Sequence, residues 1–164
     1  MALSICLKLG STPVPGEFAG VGDDHKHVGE IEVLSWNWGM TQSASGHTGS
    51  GAGSGTADVK DLYIKKYVDK ASPNLLFYCF KGKAFDKAVL TVTKVGGEKT
   101  LVESVVLTLS GTVFISSVQT GDALPNDRYT ESVTLNFTKA NFQYTPQKAD
   151  NSPDASLAQD IIIT

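Results

Sequence analysis

The chain has 164 residues and a mass of 17.4 kDa, enough for one domain with a real core and too little for two. Hydrophobic residues make up 41% and charged residues 19%, with a net charge of −3 and a pI near 5.5, which argues against a nucleic-acid surface. No apolar run is long enough for a membrane span, so insertion into a bilayer is not expected.

The opening MALSICLKLG alternates Leu3, Ile5, Leu7 and Leu9 with Ser4, Cys6 and Lys8, the period of a strand. It carries no basic leader and is read as a strand, not a signal peptide. With two cysteines only, Cys6 on the polar phase and Cys79 further on, no disulfide framework is expected; both are read as thiols without a chemical role.

A long connection, Thr12 to Val28, contains Pro13 and Pro15. His25 and His27 beside Asp23 and Asp24 draw attention as metal ligands. A structural zinc site needs four ligands in fixed geometry, and no further set stands at metal-site spacing. An exposed polar loop is the expected reading, with no metal and no cofactor.

From Glu30 to Met40 the apolar phase switches. Ile31 and Val33 point one way, and Leu34, Trp36, Trp38 and Met40 the other. Either a β-bulge sits near Val33 or both faces of this strand are covered. On the second reading Ile31 and Val33 are subunit-interface candidates. Strand alternation then puts Ser35 and Asn37 opposite the tryptophans, on the outer face.

Ser43 to Ala57 holds Gly46, Gly49, Gly51, Gly53 and Gly55 and no large residue. Such a segment buries too little to order itself in an isolated subunit. A linker between two strands needs only about 2–5 residues, so a contact arm is the better reading. Its contact candidates are Gln42, Ser45, Gly46, His47, Gly49, Gly51, Gly53 and Gly55.

A strand over DVKDLYIKKYVD precedes a short helix, SPNLLFYCFKG. Ser72 suits the N-cap, Pro73 the first helical position and Gly82 a left-handed C-terminal cap. Leu75, Leu76, Cys79 and Phe80 fall on one side, expected to pack inward. Then Ala88, Leu90 and Val92, and later Val133, Leu135 and Phe137, alternate with polar residues. Leu101 to Thr120 is too long for one ordinary strand of about 5–6 residues, and Gly111 is where it should bend. Asn141 to Thr145 completes a hairpin. The pattern predicts a mainly β domain, a closed barrel or two-sheet barrel, with one short α-helix and a long Gly/Ser-rich loop.

No catalytic constellation stands out. There is no nucleophile elbow, no paired acid and base, and the Gly-rich segment leads into a strand and lacks the lysine of a phosphate loop. Three readings follow: a self-assembling structural module, a monomeric barrel carrier of small molecules, and an unrecognised enzyme.

Val33 to Met40 with Gln42, the Gly-rich loop, Asp61-Leu62 and Lys66 to Leu75 together resemble the haemolysin-coregulated proteins (Hcp) of type VI secretion. Lys94 to Glu98, Ser116 to Val118, Glu131 to Phe137 and Tyr144 to Lys148 continue the resemblance in order, from about Leu3 to Lys148. It implies one Hcp-like domain over residues 1–164, with a contact loop over 43–57 and a variable tail over 149–164. It also implies a homo-hexameric ring whose copies stack into the inner tube of a contractile injection machine, with sheath, spike and baseplate proteins as partners. Small effectors would ride in the lumen, with Ser35 and Asn37 as their contacts. Assembly would be cytoplasmic, followed by export without a cleaved leader. The Thr12–Val28 connection is longer than the family suggests, and the ending LAQDIIIT lacks the family's aromatic close.

Overall fold

The computed structural model describes residues 3–21, 25–44, 54–95 and 101–163. The period-two segments form antiparallel strands: β1 (Leu3–Leu9), β2 (Ile31–Val33), β3 (Ser35–Asn37), β4 (Met40–Ala44), β5 (Ser54–Val59) and β6 (Leu62–Tyr67). After the helix α1 (Ser72–Lys81) come β7 (Ala84–Val95), β8 (Leu101–Ala123), β9 (Tyr129–Asn136), β10 (Lys139–Tyr144) and β11 (Leu157–Ile162). One sheet runs β2-β1-β7-β8-β9-β6-β3, with β10 also paired to β8 and β11 to β10; β4 and β5 form a separate hairpin.

The two end strands of that path, β2 and β3, are separated in sequence by Leu34 alone. Val33 faces Ile5 of β1, whereas Ser35 faces Lys65 of β6, and the Leu34 N–H donates to the Lys65 carbonyl at 2.7 Å. One extended segment thus leaves one end of the sheet and joins the other. The expected closed barrel is corrected: the strand-pairing path stays open at Leu34, and the covalent chain joins its ends.

The phase switch causes this. Leu34 and Ser35 are both exposed, a one-residue slip of the kind a bulge makes, and beyond it Trp36 and Trp38 turn back to the same core as Ile31 and Val33. Ile31 is fully buried and Val33 nearly so. They are not an outer apolar face, which removes them as subunit-interface candidates. Leu34 and Met40, expected to point with the tryptophans, lie at the surface.

Gly111 is the bend in β8. Residues 105–110 pair with β10 and residues 114–123 with β9, while β7 follows the other side. Its φ of +79° favours glycine, and a Cβ there would overlap Thr138 Oγ1, which accepts a hydrogen bond from the Thr112 N–H at 3.1 Å.

The helix ends as expected. Gly82 sits at φ +64°, with its N–H bonded to Cys79 O and the Lys83 N–H to Tyr78 O, the Schellman arrangement. Its start differs. Ala71 is the N-cap, and Ser72 is the first helical residue, with Pro73 behind it. Ser72 Oγ is used elsewhere: it accepts from the Asp69 N–H at 2.9 Å and donates to Glu131 Oε1 at 2.5 Å. The packed side is also narrower than expected. Leu75 is buried and Cys79 half-buried, but Leu76 and Phe80 face outward, with Phe80 84% exposed.

The core is filled by side chains such as Leu7, Leu9, Leu62, Ile64, Leu90 and Leu107. The tail expected to be variable supplies β11, paired in register from Tyr144↔Leu157 to Lys139↔Ile162. The Gly/Ser-rich loop is shorter than its composition suggests, because β4 and β5 pair from Met40↔Val59 to Ala44↔Ser54.

Candidate functional surfaces

The outer face of β3, β6, β8 and β9 is polar. Ser35 and Asn37 are exposed there, opposite Lys65 and Tyr63, as the alternation requires. Around them hydroxyl, carboxylate and amide groups bond to one another. Tyr63 Oη meets Ser132 Oγ at 2.9 Å, Ser117 Oγ meets Thr134 Oγ1 at 2.6 Å, and Asp61 accepts from Ser116 Oγ at 2.7 Å and from Asn136 Nδ2 at 2.9 Å. Such a face offers short hydrogen-bonding groups and little apolar grip.

Apolar surface gathers elsewhere. On α1, Leu76, Phe77 and Phe80 are exposed together, with Lys81 Nζ 5.9 Å from the Phe77 ring. Between Trp38, Phe142, Tyr144, Leu157 and Ile161 runs an apolar groove of about 400 Å3. Trp38 forms one wall, held by its Nε1–H bond to Lys60 O at 2.9 Å and an edge contact with Phe137.

Of the contact-loop candidates, Gln42 is an exposed residue of β4 and Gly55 a backbone position in β5. Ser45, Gly46, His47, Gly49, Gly51 and Gly53 lie outside the described residues, as do Asp23 and Asp24.

Two charged clusters have partners that the sequence did not suggest, although His27 had drawn attention. In the first, Lys66 of β6 is fully buried beneath the start of α1. Its Nζ donates to Tyr67 O at 2.8 Å, to Asp69 Oδ1 at 2.9 Å and to Glu131 Oε1 of β9. The second lies where the 10–30 connection returns to the sheet. His27 holds Glu30 Oε2 at 2.6 Å on Nδ1 and Glu103 Oε1 at 2.9 Å on Nε2, and Lys26 Nζ donates to Glu103 at 3.0 Å. Burial alone pushes the His27 imidazole down, but the hydrogen bonds and charges of Glu103 and Glu30 outweigh it and raise it above the usual histidine value. Glu103 is held below the carboxylate range: burial works against that, and the bonds from His27 and Lys26 prevail. His25 is exposed as expected; His27 is not.

The described residues thus form a β-protein with a filled interior, a polar sheet face and separate apolar patches at its surface. Comparison with known proteins gives the family. Residues 7–144 match the family described as type VI secretion system effector, Hcp, and the chain belongs to that family. It is 45% identical to the protein hcp1 of Pseudomonas aeruginosa over 154 residues, 94% of this chain and 90% of that one. A solved type six secretion system protein superposes with a TM-score of 0.85 at 25% identity, covering 98% of this chain and 96% of the other. Hcp1 from Salmonella typhimurium does so at 0.75 and 30% identity, covering 99% and 96%.

Proposed function

We propose that the chain is a structural subunit of the type VI secretion inner tube. Six copies close into a ring, rings stack, small effectors travel in the lumen, and the subunit leaves the cell when the machine fires. The observation that carries this reading is the family match over residues 7–144, together with superposition across nearly the whole chain. Sheath, spike and baseplate proteins are the partners it implies, and the protein acts as a structural part without catalysis.

Details of the surface support it. Exposed Leu76, Phe77 and Phe80, and the groove beside Trp38, are apolar areas that subunit contacts would cover. Identical subunits in head-to-tail contact close into rings when the rotation allows. The polar face around Ser35 and Asn37 suits a channel wall that holds varied cargo by adaptable hydrogen bonds. A monomeric carrier would instead keep its ligand inside the β-structure, where Leu7, Leu9, Leu62 and Leu107 already pack.

The test separates ring from tube. Replacing residues 45–53 by a two-residue turn keeps the paired base of β4 and β5. If the 43–57 loop is the arm by which one ring reaches the next, hexamers should persist, while tubes in electron micrographs and export into the medium are lost. Shortened protein that still builds tubes and is exported normally contradicts the stacking role. For the lumen, Asn37→Trp should reduce effector loading with rings intact; unchanged loading removes Asn37 as a cargo contact.

A further inference from the structure

The cluster at the return of the 10–30 connection has the chemistry of a metal site. Among the described residues, Cys6, His27 and Glu30 are the group whose ligand atoms all lie within 4.8 Å of one another. They come from separate places. Cys6 is a buried residue of β1, Glu30 directly precedes β2, which pairs with β1, and His27 stands in the turn before it, where the Glu30 N–H bonds His27 O at 3.1 Å. Gly29 at φ +88° shapes that turn. We propose that these three side chains bind one zinc ion, which ties the long connection to β1.

Thiolate, imidazole and carboxylate together suit zinc better than the oxygen-seeking calcium or magnesium. Ligand atoms around a tetrahedral zinc stand roughly 3–4 Å apart. His27 Nδ1 and Glu30 Oε2, 2.6 Å apart, would give up the proton between them to the ion and spread slightly, and Cys6 Sγ, in a group that spans no more than 4.8 Å, would close by about an ångström or less. Two independent features point to a ligand. Glu30 Oε1 is buried and has no hydrogen-bond partner among the described residues, although burial makes an unbonded carboxylate oxygen costly. The far side of His27 is arranged as metal-binding histidines usually are. With Nδ1 on the ion beside Glu30, the Nε2–H donates to Glu103 Oε1 at 2.9 Å, and Lys26 in turn holds Glu103. His27 and Glu30 line a cavity of about 410 Å3 that Lys8, Lys87 and Thr91 also border, from which solvent would supply a fourth ligand.

The experiment uses tag-free full-length protein, stripped with a chelator and titrated with zinc by calorimetry. One equivalent per chain is expected. His27→Ala and Cys6→Ser should each weaken binding at least tenfold, and Glu103→Gln, acting through the imidazole, by roughly tenfold. His25→Ala and Cys79→Ser should leave it unchanged. Because Cys6 is buried and its variant can fail to fold, cobalt is added to the unaltered protein as a second probe. A thiolate-to-cobalt charge-transfer band is expected, lost in His27→Ala. No saturable zinc binding, binding indifferent to His27→Ala, or cobalt bound without that band overturns the proposal.

Discussion

The two charged clusters are built from similar parts and behave differently. Beneath α1, Lys66 and Glu131 are wholly enclosed, and the lysine donates to a backbone carbonyl and two carboxylates. At the 10–30 connection, His27 and Glu30 keep a little exposure and Glu103 more, and they border an open cavity. Each leaves one buried carboxylate oxygen without a hydrogen-bond partner among the described residues, Glu131 Oε2 in the first and Glu30 Oε1 in the second. The difference is the cation. A lysine built into β6 cannot be exchanged, so the first cluster fixes where α1 sits. A histidine beside a thiol and a cavity can exchange the proton on its Nδ1 for an ion. Access, more than composition, separates scaffold from site.

The largest expected effect breaks the first cluster. Lys66→Met leaves Glu131 buried without its cation and should cost roughly 3–5 kcal/mol in denaturant unfolding. The double variant Lys66→Met with Glu131→Leu should recover most of that loss, since an apolar pair of similar volume is often neutral or better. A single variant as stable as the parent would place the helix anchor elsewhere.

The same measurement sharpens the contrast at the second cluster. His27→Gln in metal-free protein removes charged hydrogen bonds at a site that water still reaches, and about 1–2 kcal/mol is expected. A loss equal to that of Lys66→Met would make the two clusters alike.

Phe80→Asp probes a residue that belongs to neither. Being 84% exposed, it should shift unfolding of the subunit by less than about 0.5 kcal/mol. Any effect on assembly is then an effect on contacts between molecules.

The smallest effect is a titration at a fully exposed group. Asp86 accepts bonds from the Ser11 hydroxyl and, at 3.0 Å, from the Ser11 N–H; the hydroxyl bond is the larger cause of its lowered pKa. A depressed carboxyl favours the folded state above its unfolded value, and that contribution is lost as pH falls through the folded value. The Asp86 carbon resonance should titrate below the ordinary aspartate midpoint, and Ser11→Ala should raise it. An unmoved midpoint assigns the shift to another cause.

Much of this was legible because local rules and packing agree. Gly82 was readable from left-handed cap chemistry, and Gly111 from the excessive length of its strand. The slip at Leu34 was half legible. The phase switch marked the place, but only pairing to β1 on one side and β6 on the other revealed that both apolar sets enter one core. The anchor under α1 carried a signal that was missed. Leu62, Ile64 and Lys66 share one strand phase, and so do Glu131, Val133 and Leu135, so a buried lysine needed a buried acid. The register supplies it directly, Lys66 opposite Glu131. At the second cluster His27 drew attention, but beside Asp23 and Asp24 and not beside its actual neighbours. Cys6, Glu30 and Glu103 are distant in sequence and meet because β1, β2, β7 and β8 lie side by side. The strand in the tail was hidden too, since exposed Leu157 and Ile162 resemble loose apolar residues until β10 pairs with them.

The proposed function requires six copies to close into a ring. Native mass spectrometry of the purified protein at micromolar concentration should show a dominant species of six chains, whereas a spectrum holding only the single chain would exclude the ring.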